Sequence, residues 1–164
     1  MNIDTYQKIA VGVSARLEGK KPFSLVLTSS DDRVACLPVG EGVAKALAAM
    51  SYKTVLVDAT EDGSGLAEPK AEAYGISTAS LIPGGAPLSL AQARALVAQL
   101  NSSFDAAVIV TRPLASSDTA MLLAAAAGSV VFTERKKVSR TDRIDAAMDA
   151  ARTLGALPVG FIVE

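Results

Sequence analysis

Apolar positions along this chain alternate between two rhythms, helical spacing and short continuous runs. Ile3, Ile9, Val13 and Leu17 recur at roughly helical spacing, which predicts an amphipathic helix over residues 3–17. Gly19-Lys20-Lys21-Pro22 breaks it, and the apolar run 23–28 that follows reads as a buried strand. Pro38 suits the first turn of a helix, continued on one face by Val39, Val43, Ala46, Leu47 and Met50. Residues 53–58 give a second buried strand. Residues 61–72, with Gly63, Gly65 and Pro69, read as loop with at most a short helix.

The second half repeats the alternation. Residues 80–82 read as a short strand closed by Pro83-Gly84-Gly85. Leu90, Ala93, Leu96, Val97 and Leu100 share one face of a helix over 89–100, and 106–111 is a central strand. A small-residue helix over 117–127 ends at Gly128. Residues 129–133 form a strand, 140–154 a helix and 158–163 the last strand. No internal repeat is visible. Apolar strands separated by helices predict an α/β fold: a three-layer, doubly wound, mostly parallel sheet in a single domain over 1–164.

Composition narrows the chemistry. Half of the 164 residues are hydrophobic but only 4% are aromatic, which favours tight α/β packing over a β-sandwich. A net charge of −1 supplies no field to recruit nucleic acid. With no histidine and the single Cys36, neither an internal disulfide nor a usual zinc site can form, and a reducing cytoplasm is expected. The longest strongly apolar stretch, near 121–127, is far short of the ~20 residues a spanning helix needs. Membrane association is therefore expected only through a partner.

The segment 28–58 has the frame of a nucleotide-binding strand–loop–helix–strand unit. A phosphate loop of the form G-x-x-x-x-G-K-[ST] needs glycines for close backbone approach, a lysine for the phosphates and a hydroxyl for Mg²⁺. This chain reads DDRVACLP there. A displaced match, Gly40-Glu41-Gly42 with Lys45, would leave too short a helix and no hydroxyl behind the lysine, so helix interior is the preferred reading.

Three runs carry a family resemblance. TSSDDRVACLPVGEGVAKALAAMSYKTVLVDAT (28–60), FDAAVIVTRPLASSDTAMLLA (104–124) and the closing GSVVFTERKKVSRTDRIDAAMDAARTLGALPVGFIVE (128–164) fall in order and near-right spacing. In this the chain resembles the cytoplasmic domain of the bacterial tyrosine autokinases (BY-kinases) of capsule and exopolysaccharide assembly, members of the MinD/ParA-like branch of P-loop NTPases. The resemblance implies a P-loop NTPase-like fold and a place beside a membrane polysaccharide co-polymerase or chain-length regulator, or beside a related active kinase. It also implies a cytoplasmic location at the inner membrane face through that partner, and it is compatible with a homo-oligomer.

The departures fall on the chemistry. In the ungapped alignment Arg33 and Ala35 replace the loop glycines, Cys36 the lysine, and Leu37 and Pro38 the Ser-Thr pair. Asp58 keeps the first acid of the second motif, but Thr60 stands for its second, and Val110 and Arg112 replace the aspartate and first proline of the third. The family's E-x-x-R-x-x-R oligomerisation motif falls on Asp4, Gln7 and Ala10. No ATP or Mg²⁺ binding, no metal and no catalytic residue are expected; the alternative is a weak, unconventional ATP-binding kinase or ATPase of the same pathway.

Ser29, Ser30, Arg33, Asp58 and Arg112 are the residues of the vestigial nucleotide site. In the family the Asp58 position helps magnesium and the catalytic water; the plainer reading is a loop-tethering carboxylate. Asp31 and Asp32 read as a solvated loop, and their charge opposes a polyphosphate. Cys36 lacks a histidine to activate it and reads as a buried small hydrophobe. Arg112 could hold an anion or, preferably, pair with Asp58 or Asp118. The basic run Arg135, Lys136, Lys137, Arg140 and Arg143 reads as a solvated loop or as a docking face for an acidic partner tail or anionic lipid.

Overall fold

A computed structural model of the chain describes residues 1–84 and 86–164. Helix α1 (Ile3–Arg16) opens the fold, capped by the Asn2 side chain. It is followed by β1 (Phe23–Thr28), α2 (Cys36–Ala49), β2 (Thr54–Ala59), β3 (Gly63–Leu66), β4 (Lys70–Ala71) and β5 (Ile76–Pro83). The second half contains α3 (Leu90–Ser103), β6 (Ala106–Thr111), α4 (Asp118–Ala127), β7 (Ser129–Glu134), α5 (Thr141–Thr153) and β8 (Leu157–Val163). The strands form one eight-stranded sheet ordered β3-β5-β2-β6-β1-β7-β8, with β4 also on β5. Every pairing from β5 to β8 is parallel, while β3 and β4 lie antiparallel to β5.

Parallel strands joined by helical crossovers must be covered on both faces. All six residues of β1, β6 and β7 are buried accordingly. On one face α1 and α2 pack Ala10, Val13, Val43 and Leu47 against Leu25, Leu27 and Val108. On the other, α3, α4 and α5 pack Leu96, Leu100, Leu123 and Ala147 against Val26, Ile109 and Phe132. Burying each of the Val, Leu, Ile and Phe side chains among these contributes about 1.5–3 kcal/mol.

The helix ends follow local chemistry. Ser89 and Gln92 form a reciprocal capping box at α3. Ser117 caps α4, which ends on Gly128 in the left-handed region (φ 79°). Gly40, Glu41, Gly42 and Lys45 lie within α2, so the displaced phosphate-loop match is helix interior. Gly40 is there for packing: a Cβ would run into the Val110 side chain on β6.

Two expectations are corrected. Residues 61–72 contain β3 and β4 where loop was expected, and the strand expected at 80–82 runs from Ile76 to Pro83. The intervening sequence is small and polar, so its strand character comes from pairing with β2 and β5 and not from hydrophobic alternation. Gly85, expected in the closing turn, lies outside the described residues. Among the described residues no helix is long and apolar enough to cross a membrane.

The glycines separate packing from flexibility. Gly12, inside α1, has nothing within 4 Å of an added Cβ. Gly12→Ala is expected to stabilise the protein by about 0.5–1 kcal/mol through helix propensity. Gly40→Ala is expected to destabilise it by about 1–3 kcal/mol through overpacking. Urea unfolding of both variants checks the pair of signs.

Candidate functional site

Open parallel sheets bind ligands beyond the carboxyl ends of their strands. In this chain that crevice lies beyond β1, β2, β6 and β7, and its walls are joined by hydrogen bonds. The Thr28 hydroxyl, at the end of β1, donates to the Arg112 carbonyl just beyond β6 (2.8 Å). Ser29 Oγ donates to the Asp31 carbonyl (2.9 Å), and Val34 N–H donates to the same oxygen (3.1 Å), closing a turn.

Two buried carboxylates dominate the β1–α2 loop. Asp31, 2% exposed, accepts from the backbone N–H of Arg33 (3.0 Å), from Arg33 Nε (2.9 Å) and Nη2 (2.8 Å), and from Arg143 Nη1 (3.0 Å) on α5. Arg33 Nη2 also reaches the Val138 carbonyl (3.2 Å). One carboxylate thus holds the loop, the segment before α5 and α5 itself. Glu134, at the end of β7 and 3% exposed, accepts from Ser30 N–H (3.0 Å) and Ser30 Oγ (2.8 Å). The amides of Ser30 and Arg33 are therefore directed at protein carboxylates.

The electrostatics follow from these contacts. Hydrogen bonds from the Arg33 guanidinium and backbone N–H, aided by the charge of Arg143, hold the Asp31 carboxyl well below the usual carboxylate range against the effect of burial. Asp31 reciprocally raises the pKa of Arg33. The Cys36 thiol is pushed up to about 11, chiefly by burial. Cys36 is the first residue of α2, Ala35 provides no side-chain cap, and Pro38 removes an N–H from the first turn.

The remaining acid positions are occupied differently. Asp58, half-buried at the end of β2, accepts from Thr60 N–H (3.0 Å) and Thr60 Oγ1 (2.6 Å), so its own loop tethers it. It lines a cleft of 430 Å³ with Leu37, Glu41, Lys45 and Tyr74. Val110 is fully buried in the core against α2.

Several sequence expectations change here. Asp31 is a buried ion-pair hub, not a solvated loop residue; only Asp32 is exposed. Arg112 pairs with neither Asp58 nor Asp118 among the described residues: Asp58 Oδ1 accepts from Thr60, and Arg112 lines a separate cleft of 530 Å³ with Asp62, Ser117 and Asp118. Ser29, Ser30 and Arg33 do come together around Asp31 and Glu134, whereas Asp58 and Arg112 stand apart from them. The basic run divides as well. Arg143 is committed to Asp31 and Arg140 pairs with Asp142 (3.1 Å), leaving Arg135, Lys136 and Lys137 exposed with no ion pair among the described residues.

Sequence reasoning missed Glu134, which directly precedes the basic run. The available signal was an acid directly ending an apolar strand. Cys36 is the buried small residue that was expected.

Two outcomes test this electrostatic picture. Asp31→Asn lowers the melting temperature at neutral pH. Because the folded pKa is depressed, that deficit relative to the unaltered protein is complete above the ordinary value of 3.8 and shrinks as the pH falls below it; thermal melts from pH 7 to pH 2 measure it. Separately, Cys36 is expected to resist a thiol-reactive disulfide reagent at pH 8 in the native protein and to react at once in denaturant.

Neither a protein-family model nor a curated protein sequence matches the chain. Solved structures do. The kinase domain of Escherichia coli tyrosine kinase ETK is 15% identical, with 99% of this chain and 74% of that one covered at a TM-score of 0.82. The chimerical protein CapA2B2 is 16% identical over 98% of this chain and 83% of that chain, with a TM-score of 0.77. MinD cell division protein of Aquifex aeolicus is 14% identical over 86% and 68%, at 0.65. The chain therefore has the mostly parallel, P-loop NTPase-like α/β fold of bacterial tyrosine-kinase domains and of MinD.

Proposed function

We propose that this chain is a catalytically inactive, tyrosine-kinase-like binding module, a pseudokinase. On this reading it acts as a regulatory or scaffolding subunit in capsule or exopolysaccharide assembly and export. The observation that carries the inactive part is the pair of buried carboxylates, Asp31 and Glu134, that accept from the Ser30 and Arg33 amides. A phosphate loop directs such amides at the nucleotide. A triphosphate entering this crevice would have to break the hydrogen bonds that these carboxylates already accept.

The other positions agree with this reading. Where the family resemblance places a lysine, Cys36 offers a buried thiol whose pKa is about 11. Thr60 donates its hydroxyl to Asp58 in place of contributing a second carboxylate for magnesium. Val110 puts a hydrocarbon where the third motif has an acid. These residues do not fit a Mg²⁺-bound nucleotide.

The pathway assignment rests on the resemblance of the three sequence runs and on the shared fold. A membrane polysaccharide co-polymerase, or a related active kinase, is the partner it implies. Arg135, Lys136 and Lys137 supply an exposed basic face for an acidic partner tail, with Arg140 and Arg143 behind it in ion pairs. That association would hold the chain at the inner face of the membrane.

Isothermal titration calorimetry with Mg·ATP tests the inactive reading. No saturable heat is expected up to roughly millimolar nucleotide. A dissociation constant near 1 μM, about −8 kcal/mol, would overturn the proposal and favour a weak, unconventional kinase or ATPase.

A further inference from the structure

The cleft of 430 Å³ that Asp58 lines is enclosed by α2, β2, β5 and the turn leading from β4 into β5. Three carboxylates and one ammonium face it: Glu41, Asp58 and Glu72 against Lys45. Lys45 Nζ lies 2.6 Å from Glu41 Oε1 and 4.7 Å from the centre of the Tyr74 ring. One cation is thus already held in this cleft, by a carboxylate and an aromatic face. That contact neutralises Glu41 alone. Asp58 and Glu72 form no ion pair among the described residues. Both Thr60 contacts to Asp58 use Oδ1, which leaves Oδ2 available.

The spacing of the two unpaired carboxylates is set by the sheet. Glu72 Oε1 accepts from Thr78 Oγ1 (3.4 Å), and Thr78 stands in register with Leu56, two residues before Asp58. At the usual strand rise the two carboxylates lie roughly 7 Å apart along the strand direction. The lining beside them is hydrocarbon, from Leu37, Leu56 and Ile76. Tyr74 adds its ring to the wall. It is 76% exposed with φ 63°, and Gly75 follows at φ 75°. Turns with two successive left-handed residues favour Asn-Gly, so the tyrosine is held there at a conformational cost.

We propose that this cleft is a binding site for an aliphatic diamine. One ammonium pairs with Asp58 and the other with Glu72, while the chain between them lies along Leu37, Leu56 and Ile76 and against the Tyr74 ring. A five-carbon chain spans about the distance between the two carboxylates. A monoamine leaves one of them unmatched, and an anion is repelled by all three acids. Lys45, seated on Glu41, forms part of the wall and opposes the incoming charge. The site stands apart from the Asp31 and Glu134 contacts and does not depend on the proposed function.

Titration of the isotope-labelled 1–164 chain with cadaverine, the five-carbon diamine, followed by amide NMR shifts, tests it. Saturable shifts are expected around Asp58 and from Glu72 to Thr78, with a dissociation constant below roughly 1 mM that rises with added salt. Pentylamine should bind roughly ten-fold or more weakly, and neutral pentanediol should cause no saturable shift. Glu72→Gln should weaken cadaverine binding, and Lys45→Gln, which removes the opposing charge, should tighten it. Tyr74→Asn should weaken binding without lowering the melting temperature, because asparagine suits the left-handed turn. No saturable shift up to roughly 20 mM cadaverine, pentylamine or pentanediol binding as tightly as the diamine, Glu72→Gln or Tyr74→Asn binding as before, or Lys45→Gln binding more weakly would each overturn the proposal.

Discussion

A carboxylate removed from water needs positive partners, and the way Asp31 finds them organises the crevice. Its contacts reach its own loop and, across 112 residues of sequence, α5. Without the two guanidiniums a buried charge would stand uncompensated, which is strongly destabilising. With them, the β1–α2 loop, the turn before α5 and the first turn of α5 hold one another in place. Glu134 does the same for Ser30. The loop is thus held from within by groups of the protein, where a phosphate loop gains order from its ligand.

Much of the fold was legible in the sequence because parallel strands buried on both faces are nearly continuous apolar runs. The strands at 23–28, 106–111 and 129–133 carry that signature, and the helices between them show it as one-sided spacing. β3 and β4 escaped because Gly-Ser-Gly-Leu and Lys-Ala carry no pattern; their strand character comes from hydrogen bonding to β5, which is tertiary information. β5 was read short for a related reason, since Ser77, Thr78 and Ser80 are polar residues paired in register with the apolar β2.

The site was legible in part. Residue identities showed that residues 31–38 lack the groups of a phosphate loop, and the strand and helix pattern placed that segment between β1 and the first turn of α2. What the loop does instead depends on contacts between residues more than 100 positions apart: Asp31 with Arg143, Ser30 with Glu134. A charged residue in a polar stretch reads as solvated until the fold puts a helix over it. The basic run failed in the same way, because two of its five members have carboxylate partners that linear charge clustering cannot identify.

The contact between Gly40 and Val110 has a consequence for how the crevice could change. α2 approaches β6 so closely at this point that even a methyl group on Gly40 would collide with Val110. The backbone of α2 has settled onto a hydrocarbon surface. An aspartate at position 110 would carry its charge into that contact, fully buried and without a donor, at a penalty of several kcal/mol. Accommodating an acid there would first require moving the helix. The helix and the strand thus constrain each other: neither position 40 nor position 110 can gain bulk or charge unless the packing between them gives way.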